Sequence, residues 1–228
     1  MKPAILFVTG SDTGVGKTVF AALLTRHLFA RGFRAAGLKP ICSGERGDAL
    51  ALQKAAGKVL TLDEVNPWHF RSSIAPLLAA RRECRRVTLH QVTAHIRDVA
   101  QHFDVVVVEG AGGLLSPLGE GFASRDLLCA LRAVPVVVCA NRLGAVNQAL
   151  LVLSALPRAA ARRSQIVLMA SARADSASRC NPPLLRELAG HTPVHKLPRM
   201  HHPTALDAVL RGATVRRTLD AVLHAIEG

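Results

Sequence analysis

The sequence has no tyrosine and one tryptophan, and with seven phenylalanines its aromatic residues make up only 4% of the chain. So little ring surface is a poor platform for stacked bases, although 29 Lys and Arg against 16 Asp and Glu, a net +13, would attract phosphate. The arginines Arg81, Arg82, Arg85 and Arg86, and Arg162 with Arg163, stand among apolar residues at helical spacing. They read as solvated helix faces, and no nucleic-acid partner is expected. Cysteine is sparse and unpatterned. Cys42, Cys84, Cys129, Cys139 and Cys180 include no C-x-x-C pair, which argues against a disulfide framework or a zinc ribbon and for a reducing compartment. His195, His201 and His202 have no Cys or carboxylate at ligand spacing and read as loop histidines. No apolar run reaches the roughly 18 residues of a membrane span. Met1-Lys2-Pro3 leads straight into an apolar stretch without the pattern of a signal peptide, so the expectation is a cytoplasmic protein with no membrane partner.

What is present is hydrophobic: half of the 228 residues are apolar, enough for one full core, and no linker divides the chain, so one domain over residues 1–228 is expected. Short β-branched runs alternate with segments of helical period, the pattern of βαβ units. Strands are expected at 4–9, 34–39, 104–109, 133–140, 165–170 and 194–197. Helices are expected at 17–30, 48–56, 88–102, 145–156, 182–189 and 215–226. The four consecutive valines Val105 to Val108 suit a central parallel strand covered on both faces. These features predict an α/β fold of three layers, a mostly parallel sheet flanked by helices.

The first strand runs into Thr9-Gly10-Ser11-Asp12-Thr13-Gly14-Val15-Gly16-Lys17-Thr18, and a helix follows at once. A loop of this kind curls backbone N–H groups around phosphate oxygens and adds a helix N-terminus, the Lys17 charge and the Thr18 hydroxyl, so it predicts nucleotide binding in a P-loop fold. The strict G-x-x-x-x-G-K-[ST] pattern is missed by one position, because Ser11 stands where its first glycine belongs and Gly10 lies one residue earlier. Chromosome-partitioning ATPases place a signature lysine where this chain has Asp12, which argues against that group. Glu109, ending the valine strand, and Asp48, opening a helix, are placed to supply the oxygen ligands that Mg²⁺ prefers. Taken alone, Asp48 has the lesser alternative of a plain helix cap, Glu109 that of a structural acid, and Lys39 reads equally as a surface lysine. Lys39 ends the second strand, where a cation can stabilise charge building on a carboxylate or a transferring phosphoryl group. Cys42 beside it reads as a small apolar filler.

The segments Val8 to Thr13, Val15 to Thr18, Gly37-Leu38-Lys39-Pro40, Ser43-Gly44, Asp48 to Leu52, Val65-Asn66-Pro67, Val108 to Gly113, and Leu143-Gly144 with Asn147 together resemble the dethiobiotin synthetase family over nearly the whole chain. The resemblance implies a homodimeric ligase of biotin biosynthesis. In such an enzyme 7,8-diaminononanoate takes up CO2 as a carbamate, ATP phosphorylates it, and the second amine displaces phosphate to close the ring. It implies Thr18, Asp48 and Glu109 as Mg²⁺ ligands, Lys17 as the phosphate clamp and Lys39 as the residue that steadies the carbamate. ATP would be held by Gly14, Val15, Gly16, Lys17, Thr18, Val19, Asp48, Glu109, Gly110, Ala111, Gly112, Ser171, Pro198, Arg199 and Met200. Asp12, Thr13 and Ser43 would face the diamine, while Gly144 and Asn147 would receive its tail carboxylate across the dimer. Ser171 stands where many members have an Asn that reads the adenine edge. An amide-forming relative of cobyrinic acid diamide synthase would need a much longer chain, and a nucleotide-sensing binding protein would need neither Lys39 nor the loop at Gly144.

Overall fold

The computed structural model describes residues 3–170, 175–198, 200 and 205–227, with side chains through 224. Six strands form the main sheet, in the order Val194–Leu197, Gln165–Ala170, Val134–Asn141, Ala4–Gly10, Val105–Glu109 and Ala35–Leu38. Every neighbouring pair is parallel. All six strands coincide with the expected runs to within a residue or two.

Residues alternate between the two faces of a strand. Val106, Val107 and Val108 are nonetheless all fully buried, as are Val136, Val137 and Val138, so helices cover both faces. Complete burial of each such side chain contributes about 1.5–3 kcal/mol. The helix Lys17–Ala30 packs against Gly47–Ala55 and Ala213–Glu227, and a second group pairs Leu89–Ala100 with Ser124–Leu131 and Ala145–Ala155 with Ser176–Leu188. Thr88 starts Leu89–Ala100 with a reciprocal cap, its side chain accepting from the Gln91 N–H while Gln91 accepts from the Thr88 N–H. Among the described residues no helix is long and apolar enough to cross a membrane.

Two expectations are corrected. The helix expected to start at Pro182 starts six residues earlier, at Ser176, and carries Pro182 and Pro183 inside it. An internal proline leaves the carbonyl four residues back without its helical donor. Here that carbonyl belongs to Ser178, and the buried Asn141 donates to it from Nδ2 at 2.8 Å. A donor from a neighbouring strand thus removes part of the penalty that would have broken the helix. The arginines 81–86 do not form one solvated helix face either, because the helix Pro76–Arg82 stops short of Arg85 and Arg86. Arg85 donates to the His69 carbonyl and lies over the Phe70 ring, and Arg81 pairs with Glu120 at 2.7 Å.

Smaller elements without a clear periodic signature complete the fold. A parallel pair, Ile41–Ser43 with Trp68–Phe70, extends beyond the end of the Ala35–Leu38 strand, and an antiparallel pair, Pro117–Gly119 with Phe122–Ala123, follows the valine strand. Both stand at the carboxyl end of the sheet, where open parallel sheets bind their ligands.

Candidate functional site

The site is built where three adjacent strands end. Ala4–Gly10 delivers the phosphate loop, Val105–Glu109 delivers Glu109, and Ala35–Leu38 delivers Lys39. Pairing of Val8 with Glu109 and of Leu38 with Val108 fixes these chain ends side by side.

Two glycines in the loop are sterically required. Gly16 caps the helix at φ 101°, a left-handed conformation that a side chain would strain. A Cβ on Gly10 would lie 2.8 Å from Val15 Cγ2, so the early glycine of this variant loop makes room for the returning valine. Ser11 meanwhile continues the strand, donating its N–H to the Val138 carbonyl. The helix that follows leaves its first-turn N–H groups without partners within the helix, and they are free to meet an anion. Lys17 folds back over the loop and donates from Nζ to the Asp12 carbonyl at 2.7 Å. Burial, and next the Lys39 ammonium, push the Lys17 ammonium below its ordinary value against the pull of Glu109, Asp48 and Asp12.

Lys39 is the centre of the charge cluster. Its Nζ lies 2.7 Å from Glu109 Oε1 and 2.9 Å from Asp48 Oδ2, and it donates to the Gly110 carbonyl at 3.1 Å. Burial acts to lower its pKa, but Glu109 and Asp48 outweigh burial and hold the ammonium above its ordinary value. Burial likewise acts to raise the Asp48 carboxyl, yet Lys39, Thr18 and Lys17 hold it below the usual carboxylate range. Glu109 Oε1 also accepts from the Thr18 hydroxyl at 2.8 Å, while its Oε2 is buried without a hydrogen-bond partner.

An orphaned carboxylate oxygen is costly unless something occupies it. Thr18, Asp48 and Glu109 together offer a hydroxyl and two carboxylates, a hard-oxygen set that fits a small divalent cation completed by water and phosphate oxygens. No group of three or more His, Cys, Asp or Glu side chains gathers as a metal cluster among the described residues, so protein ligands alone would not fill such a shell.

These groups line one cleft of about 780 Å³. Of the residues expected to bind nucleotide, diamine or metal, the cleft brings together Thr13, Gly14, Gly16, Lys17, Thr18, Val19, Lys39, Ser43, Asp48, Glu109, Ala111 and Gly112. Val15 is buried behind the loop and Gly110 meets the site through its carbonyl. Asp12 lies on an adjoining hollow of about 500 Å³ that shares Ser116 and Pro117 with the main cleft. Gly144 and Asn147 line neither space; Gly144 caps the helix Ala145–Ala155 at φ 89°, beside a largely exposed Leu143. Met200 packs partly against the core, and Pro198 follows the last strand of the sheet. Ser171 and Arg199, with His201 and His202, lie outside the described residues.

Sequence reading missed the remaining walls. Glu45, Ser73, Ile74, Ala75 and Pro76 close one side of the cleft, tied in by Ser43, whose hydroxyl donates to the Ile74 carbonyl at 2.5 Å. Ser116 closes another side and accepts from the Gly113 N–H. No motif marked these residues, since they arrive from loops whose position depends on the two small strand pairs. Burial pushes the Cys42 thiol above its ordinary value, and it donates to Asn66, so it stands as a protonated filler.

A family model described as an AAA domain matches residues 5–206. The ATP-dependent dethiobiotin synthetase BioD of Anaeromyxobacter dehalogenans strain 2CP-C is 44% identical over 167 residues, 72% of this chain and 75% of that protein. The protein of the same description from Anaeromyxobacter sp. strain K is 40% identical over 198 residues, 85% of this chain and 89% of its own. The chain belongs to the dethiobiotin synthetase family. A ParA family ATPase from Chlorobium tepidum TLS superposes with a TM-score of 0.61 over 98% of this chain and all of its own at 15% identity. The MinD cell division protein of Aquifex aeolicus gives 0.61 over 99% and 98% at 11% identity. Likeness at such low identity concerns the P-loop α/β architecture alone, and family membership rests on the closer sequence relatives.

Proposed function

We propose that this chain closes the ureido ring of dethiobiotin, consuming 7,8-diaminononanoate, CO2 and ATP and releasing ADP and phosphate, in biotin biosynthesis. The observation that carries the reading is the Lys39 ammonium held between Glu109 and Asp48 beside a phosphate loop, in a chain of the dethiobiotin synthetase family. A cation at that point faces the place where a carbamate and a terminal phosphoryl group would have to meet.

Each residue then has a task. Gly14, Val15, Gly16, Thr18 and Val19 turn N–H groups toward the phosphates, and Lys17 leaves the Asp12 carbonyl to contact the β/γ-phosphates. Thr18, Asp48 and Glu109 would hold Mg²⁺, which would supply positive charge against the phosphate oxygens. Lys39 steadies the carbamate while one of its oxygens attacks the terminal phosphorus and ADP leaves. The second amine then attacks the carbonyl carbon, phosphate departs with the C–O bond electrons, and the amine loses its proton. Gly110, Ala111 and Gly112 border the triphosphate, and Asp12, Thr13 and Ser43 face the diamine. Pro198 and Met200 flank the base, and the family resemblance gives Ser171 and Arg199 a share in holding it.

The reading includes a single-domain, cytoplasmic subunit in a homodimer. Gly144 and Asn147 line neither hollow of their own chain; in this reading they take the substrate's tail carboxylate in the cleft of a second copy. Mass identification of the product after incubation with diaminononanoate, bicarbonate, ATP and Mg²⁺ tests the function. Dethiobiotin formed only when all four are present is the expected result; ATP turnover indifferent to the diamine would overturn it.

A further inference from the structure

Lys39 is the first residue beyond the paired part of an edge strand, so sheet pairing fixes its neighbour Leu38 rather than its own backbone groups. Its backbone is held instead by residues 65 and 66. The Lys39 N–H donates to the Val65 carbonyl at 3.0 Å, and the Lys39 carbonyl accepts from Asn66 Nδ2 at 2.6 Å. Asn66 is 1% exposed and uses both ends of its amide. Nδ2 also points at the Pro40 carbonyl at 3.4 Å, while Oδ1 accepts from Arg46 Nε and from the Cys42 thiol, each at 3.1 Å. Two carbonyls on one side and two donors on the other fix which way the amide faces.

Arg46 carries the link to the second charged residue. Its carbonyl accepts the Leu50 N–H and so opens the helix Gly47–Ala55, which bears Asp48 in its first turn. Its guanidinium is anchored by the Asn66 and Leu62 carbonyls, each at 3.0 Å. One buried amide therefore ties the chain end carrying Lys39 to the helix start carrying Asp48, the two residues whose side chains meet at 2.9 Å across the cleft.

We infer that Asn66 is a positioning residue for the reaction, with Arg46 as its partner: its amide sets the location of the Lys39 ammonium relative to Asp48. The inference rests on the function proposed above. An alanine at 66 frees the Lys39 and Pro40 carbonyls and leaves the Arg46 guanidinium one acceptor fewer, so Lys39 wanders while the phosphate loop, on a different strand, is untouched. A displacement of about 1 Å at a catalytic group can cost about 10²-fold in rate.

Asn66→Ala, Lys39→Ala and the double variant form a cycle that tests this. For Asn66→Ala the expected result is a kcat lower by roughly 10-fold to 10²-fold with KM for ATP within about twofold of wild type. In the Lys39→Ala background the same change should have almost no further effect, because no ammonium remains to be positioned. An effect of Asn66→Ala that persists undiminished without Lys39, or an unchanged kcat, overturns the inference. If Asn66→Ala does not fold, Arg46→Lys replaces it in the cycle, since a single ammonium cannot keep both the Asn66 Oδ1 and the Asn66 carbonyl contacts; the same two outcomes decide. A second readout separates failure of this inference from failure of the proposed function: acylation of Lys39 by an amine-reactive ester, followed by peptide mass. Lys39 should be protected in the wild type and labelled several-fold faster in Asn66→Ala or Arg46→Lys, whatever the reaction proves to be. Equal protection would sink the positioning role, whereas wild-type protein that makes no dethiobiotin would sink only the function.

Discussion

Lys39 Nζ and Glu109 Oε1 stand 2.7 Å apart, the lysine with 5% and the glutamate with 1% of its side chain exposed. Removing one member of such a buried pair strands the other, at a cost of about 3–5 kcal/mol, even where the intact pair contributes little net stability.

Lys39→Ala should therefore melt at a lower temperature than wild type in chelator, and Mg²⁺ with ATP should restore more of that loss than it adds to wild type. Turnover should fall by roughly 10² or more while nucleotide binding remains largely intact. Calorimetry with and without metal, beside steady-state kinetics, checks both; a variant that turns over normally would remove Lys39 from the reaction.

Glu109→Gln keeps the shape and removes the charge. Binding of a fluorescent ATP analogue should weaken by about tenfold or more when Mg²⁺ is present and change little in chelator. Wild-type affinity in the presence of Mg²⁺ would exclude Glu109 from the metal shell.

In the proposed homodimer, a site that takes its tail-binding loop from the second copy permits a complementation test. Lys39→Ala and Asn147→Ala subunits should each be impaired alone. Mixed and allowed to exchange, half of the dimers carry one intact composite site, so about a quarter of wild-type activity should return. No recovery in a mixture shown to exchange would rule out a site shared between subunits.

His195, expected as a loop histidine, instead lies half-buried in the Val194–Leu197 strand, where it sets an acid limit on stability. Its Nε2 meets Gln165 Oε1 at 2.9 Å, and Gln165 Nε2 donates to the Val222 carbonyl, joining an edge strand to the last helix. Burial, reinforced by Arg186, holds the imidazole below its ordinary value of 6.5. The unfolded chain thus takes up this proton first as the pH falls. Its contribution is complete above the ordinary value and is lost as the pH descends through it toward the lower folded value. Between pH 7 and about 5.5 the melting temperature should drop more steeply for wild type than for His195→Gln; equal slopes would show that another group is responsible.

Much of this was legible in the residues themselves. The six strands of the sheet were readable because each is a short apolar run with turn chemistry at its ends, and Gly16-Lys17-Thr18 directly after a strand announces its own geometry. The Ser176–Leu188 helix was not, since two prolines argue locally against it and the Asn141 amide that answers Ser178 lies 37 positions away in sequence. Asn66 stood inside a recognised motif, yet nothing in its neighbours said that its amide would meet Lys39.

Local sequence determined the six strands of the sheet and most of its longer helices, the phosphate loop and which side chains carry charge, because backbone preference and apolar period act over a few residues. Tertiary structure alone decided that Lys39, Asp48 and Glu109 share one point, that Glu109 Oε2 is left without a partner, and that Gly144 does not line its own cleft. Distances of a few ångströms between residues tens of positions apart follow from strand order and register, and those are set by how the whole core packs.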